Sequence, residues 1–174
     1  MDYSVSSSGD AQHTYSQLLS DVARLRDELS SFLGTKGLEG ARVAFLLESG
    51  YNYVVTLLAI WALGGFAVPL CTTHPIHEML YTVTDSDSSL LLASPQFESK
   101  IRELAAEVTK ESGAKQLVYI VPSHTPRQVS GVPELVHSPI AHPTRHALMI
   151  YTSGTTGKPK VLVSSDVSNG GVLC

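Results

Sequence analysis

The residues most suited to chemistry are gathered in one short stretch, Ile150-Tyr151-Thr152-Ser153-Gly154-Thr155-Thr156-Gly157-Lys158-Pro159-Lys160. Four hydroxyls (Thr152, Ser153, Thr155, Thr156) and two ammonium groups (Lys158, Lys160) stand together with no acidic residue among them to oppose an anion. The small residues let the backbone turn tightly, so that several N–H groups converge on one point. That is the chemistry of a cradle for a polyphosphate. It is not a P-loop of the Walker type: Thr152 stands where that pattern requires Gly, and Pro159 where it requires Ser or Thr.

A cradle needs a rigid base, and the apolar run Ala147-Leu148-Met149-Ile150 that leads into it reads as a strand. The rest of the chain supplies the sheet around that strand. Thr14 and Gln17 form a capping box in front of a helix. In that helix Tyr15, Leu18, Leu19, Val22, Leu25, Leu29, Phe32 and Leu33 recur at helical spacing, and Gly34 ends it. Asp21, Arg24, Arg26, Asp27 and Glu28 read as much of its solvent face. Residues 41–47 predict a strand. Tyr53–Leu63 is an apolar helix stopped by Gly64-Gly65, and residues 66–70 a second strand. Ile76, Met79, Leu80 and Val83 share one face of a helix ending near Asp85. Strand 90–93 follows, then a helix with Ile101, Leu104, Ala105 and Val108 inward, then strand 117–121. This alternation predicts an α/β fold, a mostly parallel sheet with helices on both faces. Between Pro122 and Pro143 five prolines mark an irregular loop.

Composition narrows the functional classes. With 174 residues, 43% hydrophobic and 16% charged, the chain has the makings of an ordinary globular core. A net charge of −4 and no Lys/Arg-rich stripe argue against nucleic acid as a partner. Cys71 and Cys174 make no disulfide framework, which points to a cytoplasmic or other reducing intracellular compartment. Residues 1–12 read as a polar, mobile tail without a secretory or transit signal. No Asp, Glu, Lys or Arg occurs between Glu48 and Glu78, but Gly64-Gly65 and Pro69 cut that run short of a membrane span. His124, His137, His142 and His146 lack ligand spacing, as do His74 and His77, so no metal site is expected. No Gly-x-Ser-x-Gly elbow of a serine hydrolase is present.

The string from Tyr151 to Lys160 resembles the phosphate-binding signature of the adenylate-forming (AMP-binding) superfamily: acyl-CoA synthetases, luciferases and peptide-synthetase adenylation domains. Thr14-Tyr15, Arg42-Val43-Ala44, Ala62-Leu63-Gly64-Gly65-Phe66-Ala67-Val68-Pro69-Leu70, and Pro75-Ile76-His77-Glu78-Met79-Leu80 with Asp85-Ser86-Asp87 are similar to that family's N-terminal landmarks. Within it the chain looks most like the malonyl- and fatty-acyl-CoA synthetase branch. The resemblance implies the incomplete N-terminal part of the large lobe: a tail at 1–12, the AMP-binding region at 13–160, and a divergent C-terminal tail at 161–174.

It further implies a ligase of fatty-acid metabolism in which a carboxylate attacks the α-phosphate of ATP, and CoA then displaces AMP from the acyl-adenylate. ATP, Mg²⁺ and CoA are the expected cofactor and co-substrates. Thr152, Ser153, Gly154, Thr155, Thr156, Gly157 and Lys160 match the positions that hold the β- and γ-phosphates, and Lys158 sits where the family varies. No catalytic residue carries over. After Lys160 the family's Gly is replaced by Val161, and the adenine, ribose and catalytic-lysine stretches have no counterpart. The chain alone is therefore expected to be inactive. The alternative is a non-catalytic remnant, a weak nucleotide-binding or protein-interaction module, with self-association through uncovered apolar surface.

Overall fold

The computed structural model describes residues 4–6, 12–34, 37–125, 146–152 and 160–165, with the backbone alone at 4–6, 12, 146 and 160–165. Strands β1 (Ser4–Ser6) and β2 (Gln12–Thr14) pair antiparallel, so the segment read as a tail contributes a strand. Helix α1 (Tyr15–Leu33) follows, then β3 (Arg42–Leu46), α2 (Tyr51–Ala62), β4 (Phe66–Pro69), α3 (Ile76–Asp85) and β5 (Leu90–Ala93). A short 3₁₀ turn leads to α4 (Glu98–Ser112), then β6 (Leu117–Ile120), β7 (His146–Thr152) and β8 (Lys160–Ser165).

The main sheet has six strands in the order β6-β5-β3-β4-β7-β8. All its pairings are parallel except β7 with β8. The expected α/β architecture is therefore the one observed. Because side chains alternate along a strand, each interior strand feeds two cores. Val43, Phe45, Ala67, Leu90 and Leu92 pack with α1 and α2 on one face. Ala44, Leu46, Val68, Leu91 and Ala93 pack with α3 and α4 on the other. Burying one such Leu or Phe fully stabilises the fold by roughly 1.5–3 kcal/mol.

Turn chemistry fixes the crossovers. Between α2 and β4 the chain reverses through Gly64, whose φ of 75° lies in the left-handed region. Gly65 follows, where a Cβ would stand 2.9 Å from Ile60 Cγ2. Gly113, at φ 71°, closes α4.

Three readings of α1 are corrected. Thr14 Oγ1 does accept from the Gln17 backbone N–H at 3.2 Å, but the Gln17 amide completes no box: it donates to Thr125 O at 2.9 Å. Tyr15 and Phe32, read as core, are 49% and 44% exposed. They sit at the two ends of a helix that is longer than α2, the helix it packs on. Asp21, read as solvent face, is fully buried and accepts the Tyr51 hydroxyl at 2.8 Å. Its spacing to Leu18 and Leu25 is helical, so a stripe that keeps Leu18, Val22 and Leu25 inside takes Asp21 with it. His13 stacks on the same Tyr51 ring, with centroids 3.5 Å apart.

Candidate functional site

Parallel strands bring their carboxyl ends to one edge of the sheet, and open α/β sheets bind ligands just outside that edge. A cleft of about 380 Å³ lies there, at the ends of β3, β4 and β7. Ser49 comes from the β3–α2 turn, Tyr53 from the first turn of α2, Cys71 and His74 from the β4–α3 loop, Glu78 from α3, and Thr152 from the end of β7.

Polar ties hold the walls as well as the apolar packing of Leu47, Leu70 and Met79. Lys100 of α4 donates through Nζ to Thr72 O at 2.9 Å and His74 O at 2.7 Å, and so pins the β4–α3 loop. Ser94 Oγ donates to Glu48 Oε2 at 2.7 Å and fixes the end of β3. Neither tie has a local sequence signal, because each joins residues about thirty to fifty positions apart that only the sheet brings together. His74 Nδ1 lies 3.3 Å from Glu78 Oε2 across the first turn of α3.

Cys71 is exposed at the cleft mouth. The Thr73 hydroxyl and backbone N–H beside it, with the Lys100 charge, hold its thiol below the ordinary value. Tyr151 also lines the cleft and donates to Asp85 Oδ2 of α3 at 2.7 Å. Burial and that carboxylate push its phenol well above the ordinary range.

The two described ends of the candidate cradle lie at this edge. Thr152 ends β7 in an exposed position, and Lys160 opens β8 as its register partner. The segment 153–159 is thus closed at its base by two paired residues, whose Cα atoms stand roughly 4.5–5.5 Å apart in an antiparallel ladder. Of the candidate residues, Thr152 and the Lys160 backbone are brought together here. Ser153, Gly154, Thr155, Thr156, Gly157 and Lys158 lie outside the described residues, as do His137 and His142. His124 is buried, with a ring nitrogen 3.0 Å from Asn52 Oδ1. Among the described residues no group of three His, Cys, Asp or Glu side chains could hold a metal ion. Nor is any described helix long and apolar enough to cross a membrane.

Known proteins match the whole arrangement. The sequence pattern of the family described as "AMP-binding enzyme" covers residues 2–166. A CoA ligase of Gibberella moniliformis is 36% identical over 161 residues, which are 91% of this chain and 26% of that protein. The mitochondrial malonate–CoA ligase of Homo sapiens is 36% identical over 159 residues, 88% of this chain and 26% of its own length. The chain thus spans about a quarter of these relatives.

Among solved structures, the O-succinylbenzoate coenzyme A synthetase of Bacillus subtilis in complex with AMP superposes with a TM-score of 0.65 at 25% identity, over 90% of this chain and 29% of that one. ATP-bound MatB from Rhodopseudomonas palustris does so with a TM-score of 0.64 at 23% identity, over 88% and 30%, a likeness of fold. With the family pattern running over residues 2–166 and curated relatives of this kind covering most of the chain, the chain belongs to the AMP-binding enzyme family.

Proposed function

We propose that the chain is the N-terminal part of an ATP-dependent acyl-CoA ligase and that its share of the work is to hold the β- and γ-phosphates of ATP. The observation that carries this reading is the β7–β8 pairing, which sets Thr152 opposite Lys160 at the carboxyl edge of the parallel sheet, beside the cleft. The hydroxyl- and glycine-rich segment 153–159 runs between these two paired residues in sequence. Negative charge grows on the leaving pyrophosphate as a carboxylate attacks the α-phosphate, so donors and one ammonium group held there lower the barrier. The names of the CoA-ligase relatives support the reaction class. Mg²⁺ would neutralise phosphate charge in such an enzyme, but the described residues offer it no ligand set, and no step is assigned to it.

The 174 residues alone carry no counterpart of the adenine, ribose and catalytic-lysine stretches, so a second reading is a phosphate-holding module without turnover. Both readings rest on the cradle, and a titration tests it. Tripolyphosphate added to isotopically labelled chain should shift the amide resonances of residues 152–160 and should compete with ATP, while adenosine should not. Lys160→Ala should weaken binding by about 1.5–3 kcal/mol, the range for hydrogen bonds to charged groups, or roughly ten- to a hundredfold. Resonances that stay still would remove the cradle, and pyrophosphate release from ATP, CoA and a panel of acids by the chain alone would remove the second reading.

A further inference from the structure

At the opposite edge of the sheet from the cleft, where β3, β5 and β6 begin, lies a second cavity of about 530 Å³. That volume is in the ordinary range of sites for small molecules. Leu33, Leu38, Ala41, Leu90 and Leu117 give it apolar walls. Its polar side is built from the two turns that enter β5 and β6. Ser88, which is buried, and Gln116 meet there: Gln116 Nε2 donates to Ser88 O at 3.2 Å. The Gln116 backbone N–H is held as well, by Thr109 Oγ1 at 3.4 Å. The bond to a carbonyl settles which end of the amide is which, so the atom left over is the acceptor Oε1. It is buried and has no hydrogen-bond partner among the described residues. A buried acceptor left bare is costly, and a donor brought by a ligand removes that cost.

Electrostatics narrow the kind of ligand. Helices α1 and α4 end at the cavity, in Leu33 and Ser112, and α3 ends just before residues 87–89, which line it. Helix C-termini carry partial negative charge. Neither α1 nor α3 has a basic residue in its last turn to offset it, so an anion is disfavoured. The Asp87 carboxylate is held by Arg42 Nη1 at 3.3 Å, and the exposed Lys115 brings the opposite charge to the lining. A full positive charge on the ligand is therefore not called for either. We propose that this cavity is a second binding site, for a small uncharged molecule with an apolar body and a hydroxyl or amide N–H that donates to Gln116 Oε1. The last side-chain torsion of Gln is soft, so a slight turn of the amide presents Oε1 to the ligand while the leucines take the apolar body. The site stands apart from the phosphate cradle and does not depend on it.

Benzyl alcohol is the probe, titrated into the isotopically labelled 174-residue chain. The expected result is a saturable shift in the amide resonances of residues 87–90 and 112–117, with residues 70–74 and 150–152 of the cleft unmoved. Benzyl methyl ether keeps the apolar body but lacks the donor, and should bind about tenfold more weakly; benzoate should bind more weakly still. Gln116→Met keeps the length of the side chain and removes the acceptor. It should bring benzyl alcohol down to the level of the ether and leave the ether where it was, a coupling that a merely structural role would not produce. Ala114→Trp, at an exposed position of the lining, should block the cavity and abolish the shifts from both probes.

Benzyl alcohol that shifts nothing, or shifts only the cleft, would overturn the inference. An ether or benzoate that binds as tightly as the alcohol would overturn it too, as would shifts that survive Ala114→Trp. Should Gln116→Met misfold, the comparison of alcohol with ether on the unaltered chain decides by itself.

Discussion

Strands β5 and β7 run parallel in one sheet, yet they are held by different physics. Every residue of β5 from Leu90 to Ala93 is at most 1% exposed, with Leu90 and Leu92 in one core and Leu91 and Ala93 in the other. No residue of β7 whose side chain is described is fully buried. Its fixed points are the Trp61 and Tyr151 hydrogen bonds, one from each side. The packed half of the sheet supplies stability, and the lightly covered half leads into the segment proposed as the cradle. A rigid scaffold fixes where a binding loop starts, which is what the paired ends of β7 and β8 would do for the proposed cradle.

Cutting into the packed half should therefore have the largest effect. Phe45 is fully buried and meets the Tyr53 ring edge-on at 4.9 Å. Phe45→Ala should cost about 3–5 kcal/mol, the range for emptying an aromatic site in a core, read as a drop in the denaturant midpoint at constant m. A loss near zero would mean that the two halves do not differ as described. Asp21→Ala comes next. It strips a buried acceptor from the Tyr51 hydroxyl and from Gln17, and should cost about 1.5–3 kcal/mol. Arg24→Ala removes the partly exposed partner of Asp21 and should cost under about 1 kcal/mol. Equal losses for the two would show that the ion pair, and not the buried hydrogen bonds, carries the site.

The packed half was also the more legible half. Strand 90–93 and the inward set Ile101, Leu104, Ala105 and Val108 could be read directly, because period and burial coincide there. Asp21 was misread because residue type outweighed position: a carboxylate at core spacing was assigned to solvent although the helix turns it inward. Lys100 and Glu48 act on the cleft through partners far off in the chain, which no periodicity records. The phosphate signature was legible as a string. Its position at the sheet edge was not, since that depends on β7 pairing with β4, a strand far from it in sequence.

Tyr119 of β6 offers a smaller effect with a definite sign. Burial, then its hydrogen bond to Glu28 at 2.9 Å, push its phenol from 10.0 to about 12. The folded state thus holds this proton more tightly than the unfolded chain does. Its contribution is fully present below about pH 10 and lost as pH rises toward about 12. The stability gap between the native chain and Tyr119→Phe should therefore be widest below pH 10 and should close across that window. A gap that widens with pH would reverse the assignment. The hydroxyl is partly solvated, so the gap stays below that of Asp21→Ala.

The smallest effect should come from Ile150→Ser, and its size tests whether β7 is as lightly covered as its exposure says. Ile150 lines the cleft and is 37% exposed, so it keeps much of its exposure when the chain folds. The substitution should therefore change stability by no more than about 0.5 kcal/mol. The β7–β8 backbone pairing is untouched, so the sheet has no reason to move. Denaturation of the native chain and the variant side by side checks it. A loss as large as that of Phe45→Ala would mean that Ile150 is buried like a core residue, and the contrast between β5 and β7 would then fail.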